Sequence, residues 1–541
     1  MKSFLPVSVL RQPDNAFGAT ENTCFRLEEA ATAACDVKYE YKVENGTAKV
    51  IVYPSGAPVK YLKLRFRGDM RGVESVYGDQ WERANPGAYL EWRSLMPSRA
   101  LAWFCFAKSG DRIACYGVKT GANCFAFWQI DTHGVTLFLN LCSGRQGTDL
   151  KEPLIACEVG EMFSDGGESA YAVAKRFSVK LCDNPKLPKE PIFGVNNWYW
   201  AYGKISKESV LYEAEYLLKM CEGTKHRPYM IIDDGWQLNR TYGENAYIGG
   251  PWLPNERFGC MADTADKIHA KGAKAGIWFR PLLTLDEVPN EAILRNASGG
   301  KILDPTHPYT LERVFNDARS LYNWGFELIK HDFTTVDIMG DSPLTSEKHT
   351  TDMVARGIEF YDKTVTTATA IKNLYKAIAD GASGADVIGC NTIGHLTAGI
   401  HSIYRVGGDT SGRSFEWTRR DGLNSMMRLP QNDTFYRADP DCAAFTDRVD
   451  HKLNLDFLEM CAITGVTTLA SVTPDSLTPD EMKRINEIYR LADRDECRYE
   501  IADYHNNANP EIFLSPDFKH RIEYDWESAY DGARSNLDWF N

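Results

Sequence analysis

The stretch "YMIIDDGWQ", Tyr229 to Gln237, runs an apolar segment straight into two adjacent aspartates, Asp233 and Asp234, followed by Gly235 and Trp236. A strand carrying Ile231 and Ile232 belongs in a core. Two neighbouring carboxylates do not, because they repel and are costly to bury unless something binds them. The same sequence style, an apolar run ending on an acid, recurs down the second half of the chain, and that recurrence decides the fold.

Eight strand candidates follow one another from "PIFGVNNWYW": "PYMIIDDGW", "AKAGIWFRPLL", "FELIKHDFT", "ADVIGCN", "HSIYRVGGD", "TFYRADPD" and "VTTLASVTPD" complete the set. Helical patterns alternate with them. One opens at Ser206, with Val210, Ala214, Leu217, Leu218 and Cys221 at helical spacing; another is closed by Gly325. Thr478-Pro479-Asp480-Glu481 is a capping box with proline at the first helical position. Eight strand–helix repeats in about 290 residues predict a parallel (β/α)8 TIM barrel over residues 190–490.

Upstream the style differs. "YLKLRFRGD" alternates Leu62, Leu64 and Phe66 with Lys63, Arg65 and Arg67, the period of a half-buried strand. "TAKVIVYPSGAPVKYLKL" reads as two strands around a Pro-Ser-Gly turn, and "GVTLFLNLCSG" continues the pattern. Residues 1–183 are therefore expected to form an N-terminal β-sandwich domain. Pro185, Pro188 and Pro191 stiffen the connection to the barrel. Residues 491–541 are short and polar and read as a C-terminal appendage.

A net charge of −13 without a basic stripe argues against nucleic acid as a partner. No apolar run approaches the roughly 18 residues needed to span a bilayer, which argues against a membrane. "MKSFLPVSVLRQPDN" makes a poor secretion signal, and the 14 cysteines read as buried free thiols such as Cys105, so the expected location is cytoplasmic. Neither cysteines nor the 11 histidines show metal-ligand spacing, so no metal and no cofactor are expected. The 13 Trp and 26 Tyr suit both ring-stacking on sugars and a large core.

In such barrels the chemistry sits at the carboxyl ends of the strands. Asp233 and Asp234 end strand 2, Asp332 ends strand 4, Asp409 ends strand 6, and Asp439 and Asp441 end strand 7. Residues two apart on a strand share a face, so Lys330 is expected beside Asp332, keeping it ionised. Asp409 follows Gly407 and Gly408, which would let a ligand come close and leave this carboxyl free to hold a proton. One charged and one protonated carboxyl is what a glycosidase uses. Each residue also has a plain structural reading. Aspartate after a strand is a common helix N-cap; Trp198, Trp200, Trp236 and Trp278 suit a core; Lys330 could pair for structure alone. His331 and His401 suit packing or capping, and Cys390 and Asn391 suit barrel filling. The ordered recurrence at equivalent strand ends favours a site.

The ordered set Asp233-Asp234-Gly235-Trp236, Lys330-His331-Asp332 and Arg405 through Asp409 resembles the clan of melibiase-type α-galactosidases (glycoside hydrolase families 36 and 27) and, more distantly, the α-glucosidases and α-xylosidases of family 31. "RADPDC" also resembles a stretch common in bacterial melibiase relatives. The resemblance spans about residues 190–480. It implies a retaining exo-acting α-glycosidase, foremost an α-galactosidase, with Asp332 as nucleophile and Asp409 as general acid/base. It further implies that Lys330, Asp233 and Asp234 hold sugar hydroxyls and that Arg405 approaches the 2-hydroxyl. Trp198, Trp236 and Trp278 would wall the pocket, with Asn391 as a further substrate contact. The partner is then an oligosaccharide or glycoside, with homo-oligomer formation left open. Where bacterial melibiases carry a Cys-Ser-Ser-Gly-Gly-type and a Ser-Asp-Asp-Thr-Asp-type run, this chain has "GCNTIGHL" and "GGDTSG". The sugar therefore stays open, as do α-N-acetylgalactosaminidase, α-galactosyl transglycosylase and an inactive carbohydrate-binding barrel.

Overall fold

The computed structural model describes residues 8–11, 37–44, 47–67, 69–84, 89–238, 248–341, 344–494 and 498–526. The eight predicted strands form one parallel sheet: strand 1 (Phe193–Asn196), strand 2 (Tyr229–Ile232), strand 3 (Lys274–Phe279), strand 4 (Leu328–His331), strand 5 (Asp386–Gly389), strand 6 (Ile403–Arg405), strand 7 and strand 8 (Thr468–Val472). Strand 7 is broken. Its first half, Arg437–Asp439, pairs with strand 6, and its second half, Cys442–Phe445, pairs with strand 8. The two halves lie at opposite ends of the hydrogen-bonded order, so the covalent link through Pro440 and Asp441 closes the TIM barrel. Asp441 takes φ +76° at this break.

Local signals placed the helices correctly. Ser206 caps Lys207–Met220 through a capping box with Ser209, and Thr478 with Glu481 does the same for Pro479–Ala492. Gly272 and Gly325, at φ +108° and +95°, let the chain leave the helices Met261–Lys271 and Pro308–Asn323 in the left-handed conformation that costs glycine least.

The N-terminal domain is an antiparallel β half-barrel or sandwich. Its strand Leu101–Ser109 is buried on both sides. Leu101, Cys105 and Ala107 fill the domain's own core, while Phe104 and Phe106 join the apolar cluster shared with the barrel. The two strands expected around the Pro-Ser-Gly turn, Thr47–Tyr53 and Tyr61–Arg67, are both present and lie far apart in the sheet order. One expectation fails here: Lys63 and Arg65, read as the open face of a half-buried strand, are buried. Lys63 lies over the Phe138 ring, and Arg65 bonds Thr136 Oγ1 at 2.9 Å and Asp131 Oδ1 at 2.6 Å, so partners on other strands replace the expected solvent.

After strand 8 and its helix comes a small antiparallel sheet, Glu500–Ile501, Ile512–Leu514 and Arg521–Glu523. It is fastened to the segment after strand 6 by Tyr504 Oη to the Met427 carbonyl and by Asn424 Nδ2 to the Ala508 carbonyl. The eleven described cysteines are unpaired and all but Cys260 are buried. Among the described residues no helix is long and apolar enough to cross a membrane.

Candidate active site

The carboxyl ends of the strands bring the predicted acids to one mouth of the barrel. Asp233 and Asp234 are almost fully buried, at 3% and 1% exposed. Asp233 Oδ2 accepts from Lys330 Nζ at 2.7 Å and from Asn196 Nδ2 at 2.7 Å. Its backbone N–H donates to Asn197 Oδ1 at 3.0 Å. Asp234 Oδ1 accepts from Gln237 Nε2 at 2.6 Å. Bonding of this kind is what makes two buried neighbouring carboxylates tolerable.

Asp332 is half-buried and aimed by its neighbours. Trp278 Nε1 donates to its Oδ2 at 3.1 Å, and the Phe333 N–H donates to its Oδ1 at 2.8 Å. Phe333 sits at φ +62°, a strained position for a bulky residue, with the Arg280 guanidinium 4.2 Å from its ring. Arg280 is itself locked by Asp337, which accepts both its Nε and its Nη2. Asn391 receives the same Phe333 N–H at 3.3 Å, and its carbonyl accepts the hydroxyls of Thr334 and Thr335.

Around Asp409 the charge arrangement is the reverse of the expectation. The Lys330 ammonium bonds Asp233 on the next-but-one strand instead of the Asp332 carboxylate two residues along. Asp409, expected to be free to hold a proton, accepts from Arg83 Nη1 at 2.7 Å and Arg405 Nη2 at 3.1 Å. Its side chain is 38% exposed; what desolvation remains works to raise its pKa, but the guanidiniums of Arg83 and Arg405, with the Lys330 ammonium, outweigh it and bring the carboxyl down to about 2. Gly407 and Gly408 have a different purpose from the one expected. A Cβ at Gly407 would fall on the Asp421 carbonyl, and one at Gly408 would lie 2.9 Å from Asp421 Cγ and 3.1 Å from the Ala84 carbonyl. Protein, not ligand, occupies the space the glycines leave.

Arg405 is 1% exposed and bonds Asp441 and Asp409, with the Gly408 carbonyl at 3.0 Å. Tyr199 donates its hydroxyl to the same Asp441 carboxylate. This places Arg405 among protein acceptors inside the barrel. Trp236 is fully buried, gives its indole N–H to the Trp278 carbonyl at 2.8 Å, and packs against Trp252 and Trp324. It therefore stands behind the site, not in its wall. Trp278 touches Asp332 directly, and Trp198 is half-buried against Tyr202.

Three residues escaped sequence reasoning. Glu82 and Arg83 belong to the N-terminal domain yet reach Asn391 and Asp409, 309 and 326 positions away in sequence. Nothing in "GDQWERAN" marks them, because a charged pair in a β-rich domain reads as surface. Tyr199 was likewise hidden among aromatics. Among the described residues no group of three or more His, Cys, Asp or Glu is arranged to hold a metal ion.

No protein-family model matches the sequence, and no curated protein matches it. Solved structures do match in shape. The α-galactosidase TtGalA from Thermus thermophilus, determined with p-nitrophenyl α-D-galactopyranoside, aligns at a TM-score of 0.60 and 15% identity over 91% of this chain and 99% of that one. The GH36 α-galactosidase AgaA from Geobacillus stearothermophilus aligns at 0.60 and 13% over 90% and 78%, and AgaB from the same organism at 0.60 and 13% over 89% and 71%. The architecture is thus that of glycoside hydrolases. More narrowly, the chain has the fold of the GH36 α-galactosidases, as its strand-end motifs led one to expect.

Proposed function

We propose that the protein is a retaining exo-α-glycosidase, foremost an α-galactosidase, with Asp332 as nucleophile and Asp409 as acid/base. The observation that carries this reading is the mounting of Asp332. Its oxygens are held by an indole N–H and by the backbone of a strained turn, which fixes a nucleophile without neutralising it. In the first step Asp332 attacks the anomeric carbon while Asp409 gives its proton to the departing glycosidic oxygen. In the second, Asp409 takes a proton from water, which displaces the sugar from Asp332. Asp233 and Asp234 act as acceptors for sugar hydroxyls, the axial O4 and O6 of galactose above all. The shared fold supports this reading, and the Thermus relative was crystallised with an α-galactoside.

A panel of nitrophenyl α-galactoside, α-N-acetylgalactosaminide, α-glucoside and β-arabinopyranoside tests it. The expected result is nitrophenol release from the α-galactoside, lost in Asp234→Ala, with α-galactose as first product. Oligosaccharide in place of free galactose at high acceptor concentration would make it a transglycosylase. The double guanidinium contact on Asp409 favours a second reading, a carbohydrate-binding barrel without turnover. Saturable binding of a galactoside with no release from any member of the panel would establish that one instead.

A further inference from the structure

Residues 79–84 of the N-terminal domain form a strap across the mouth of the barrel. Arg428, from the segment after strand 6, holds it by donating to Asp79 Oδ1 at 2.7 Å and to the carbonyls of Gln80 and Glu82. Gln431 bonds the other Asp79 oxygen at 2.8 Å, and Trp81 Nε1 reaches the His349 carbonyl at 2.7 Å. The strap then runs alongside the end of strand 6 as a parallel bridge, with Ala84 N–H on the Val406 carbonyl at 2.9 Å. Gly408 makes room for this approach, since a Cβ there would lie 3.1 Å from the Ala84 carbonyl, while Gly407 admits Asp421 and Ser425 from the other side. Arg83 therefore arrives at Asp409 on a rigid mount.

Arg83 itself is held less completely than its mount. Its Nη1 takes Asp409 Oδ1 and lies 3.5 Å from Cys390 Sγ, its Nε is buried without a hydrogen-bond partner, and that Nε stands 3.9 Å from Glu82 Oε1. Arg405 Nε is likewise buried without a hydrogen-bond partner, but Arg405 differs in its Nη2, which is divided among Asp441, the Gly408 carbonyl and Asp409. Of the two cations on Asp409, Arg83 is the one whose nearest carboxylate is Asp409 itself.

We propose that Arg83 is a positioning residue that sets the pH at which Asp409 can carry its proton, tying proton transfer in the barrel to docking of the β-domain strap. This rests on reading Asp409 as the acid/base. The other groups around Asp409 are Arg405 on strand 6, Lys330 on strand 4, Tyr199 and Tyr202 after strand 1, and Asp421 after Gly408. Asp421, nearly fully buried with Oδ1 3.6 Å from Arg420 Nε, is raised to about 7 by burial first and by Asp409 as well, against the pull of Arg420 and Arg83. Removing Arg83 leaves Arg405 committed to Asp441, while Asp421, raised to about 7, is neutral where Asp409 titrates and adds no compensating charge. The Asp409 pKa must then rise, by about 1–3 units for loss of an opposite charge in contact.

The test compares wild type with Arg83→Met and Arg83→Lys. The first readout is the alkaline limb of kcat/KM, which reports the acid of the free enzyme, measured on an unactivated glycoside that needs leaving-group protonation. The limb should move up by about one unit or more in Arg83→Met and stay near wild type in Arg83→Lys. The second readout needs no turnover: the carboxyl resonance of 13C-labelled aspartate that disappears in Asp409→Asn is titrated in each protein. If Arg83→Met does not fold, Arg83→Gln takes its place. An Asp409 titration unmoved by loss of the guanidinium overturns the proposal. A titration that moves in a protein without glycosidase activity sustains it as a statement about Asp409 and removes only the catalytic reading.

Discussion

The Lys330 ammonium stands 2.7 Å from Asp233 Oδ2, joining strands 4 and 2 across the intervening strand 3 at the barrel mouth. Both groups are buried, and burying an ion pair is favourable only when each partner stays bonded. Lys330→Met should leave the Asp233 carboxylate with Asn196 as its remaining side-chain donor among the described residues. The expected loss is about 3 kcal/mol of unfolding free energy, read by urea denaturation at pH 7. Lys330→Met with Asp233→Asn should recover much of it. A double variant as unstable as the sum of the singles would show that the pair is not coupled.

The roles of Asp332 and Asp409 separate in azide. Asp332→Gly should cut turnover on the order of a thousandfold or more, and azide attacking from the vacated side should give a β-glycosyl azide. Asp409→Gly should still glycosylate Asp332 with good leaving groups and stall there, because no base activates water. Azide needs no base and should release an α-glycosyl azide. Swapped configurations would exchange the two assignments.

Glu213, on the helix Lys207–Met220, carries a pH-dependent stability term. Burial pushes its carboxyl up to about 8, against the opposing hydrogen bonds of Trp200 and Asn197. A carboxyl raised in the folded state holds its proton there more tightly than in the unfolded chain. Its contribution is complete below the ordinary glutamate pKa and is lost as the pH climbs through about 8. Glu213→Gln should therefore raise the unfolding free energy by a few kcal/mol, roughly 2–4, at pH 9 and change little at pH 4.5. A Tm difference that does not vary with pH would refute this.

Gly407→Ala tests the strap's seat. The added methyl would meet the Asp421 backbone, which cannot swing aside as a side chain can. Overpacking of this kind costs about 1–3 kcal/mol or more. The Tm should fall, and a protease should cut the strap region sooner than in wild type. An unchanged Tm would mean that the segment after strand 6 yields freely.

The legible part of this protein was local. Apolar runs of strand length, several of them ended by acids and separated by capped helices, laid out all eight barrel strands in order. Ser206, Thr478 and Gly325 marked helix ends because caps act through backbone groups a few residues away. The acids were visible for the same reason: a residue just beyond a barrel strand has its position set by that strand.

Which charge meets which was not legible. Alternation along one strand put Lys330 with Asp332, whereas closure of the barrel put it with Asp233, 97 positions away. The positive charge on Asp409 comes partly from Arg83, in another domain, and Trp236 turned inward because neighbouring tryptophans enclosed it. Sequence spacing fixes the direction of a side chain relative to its own backbone. Electrostatic pairing depends on distance in space, which exists only once the strands have closed and the β-domain strap has docked.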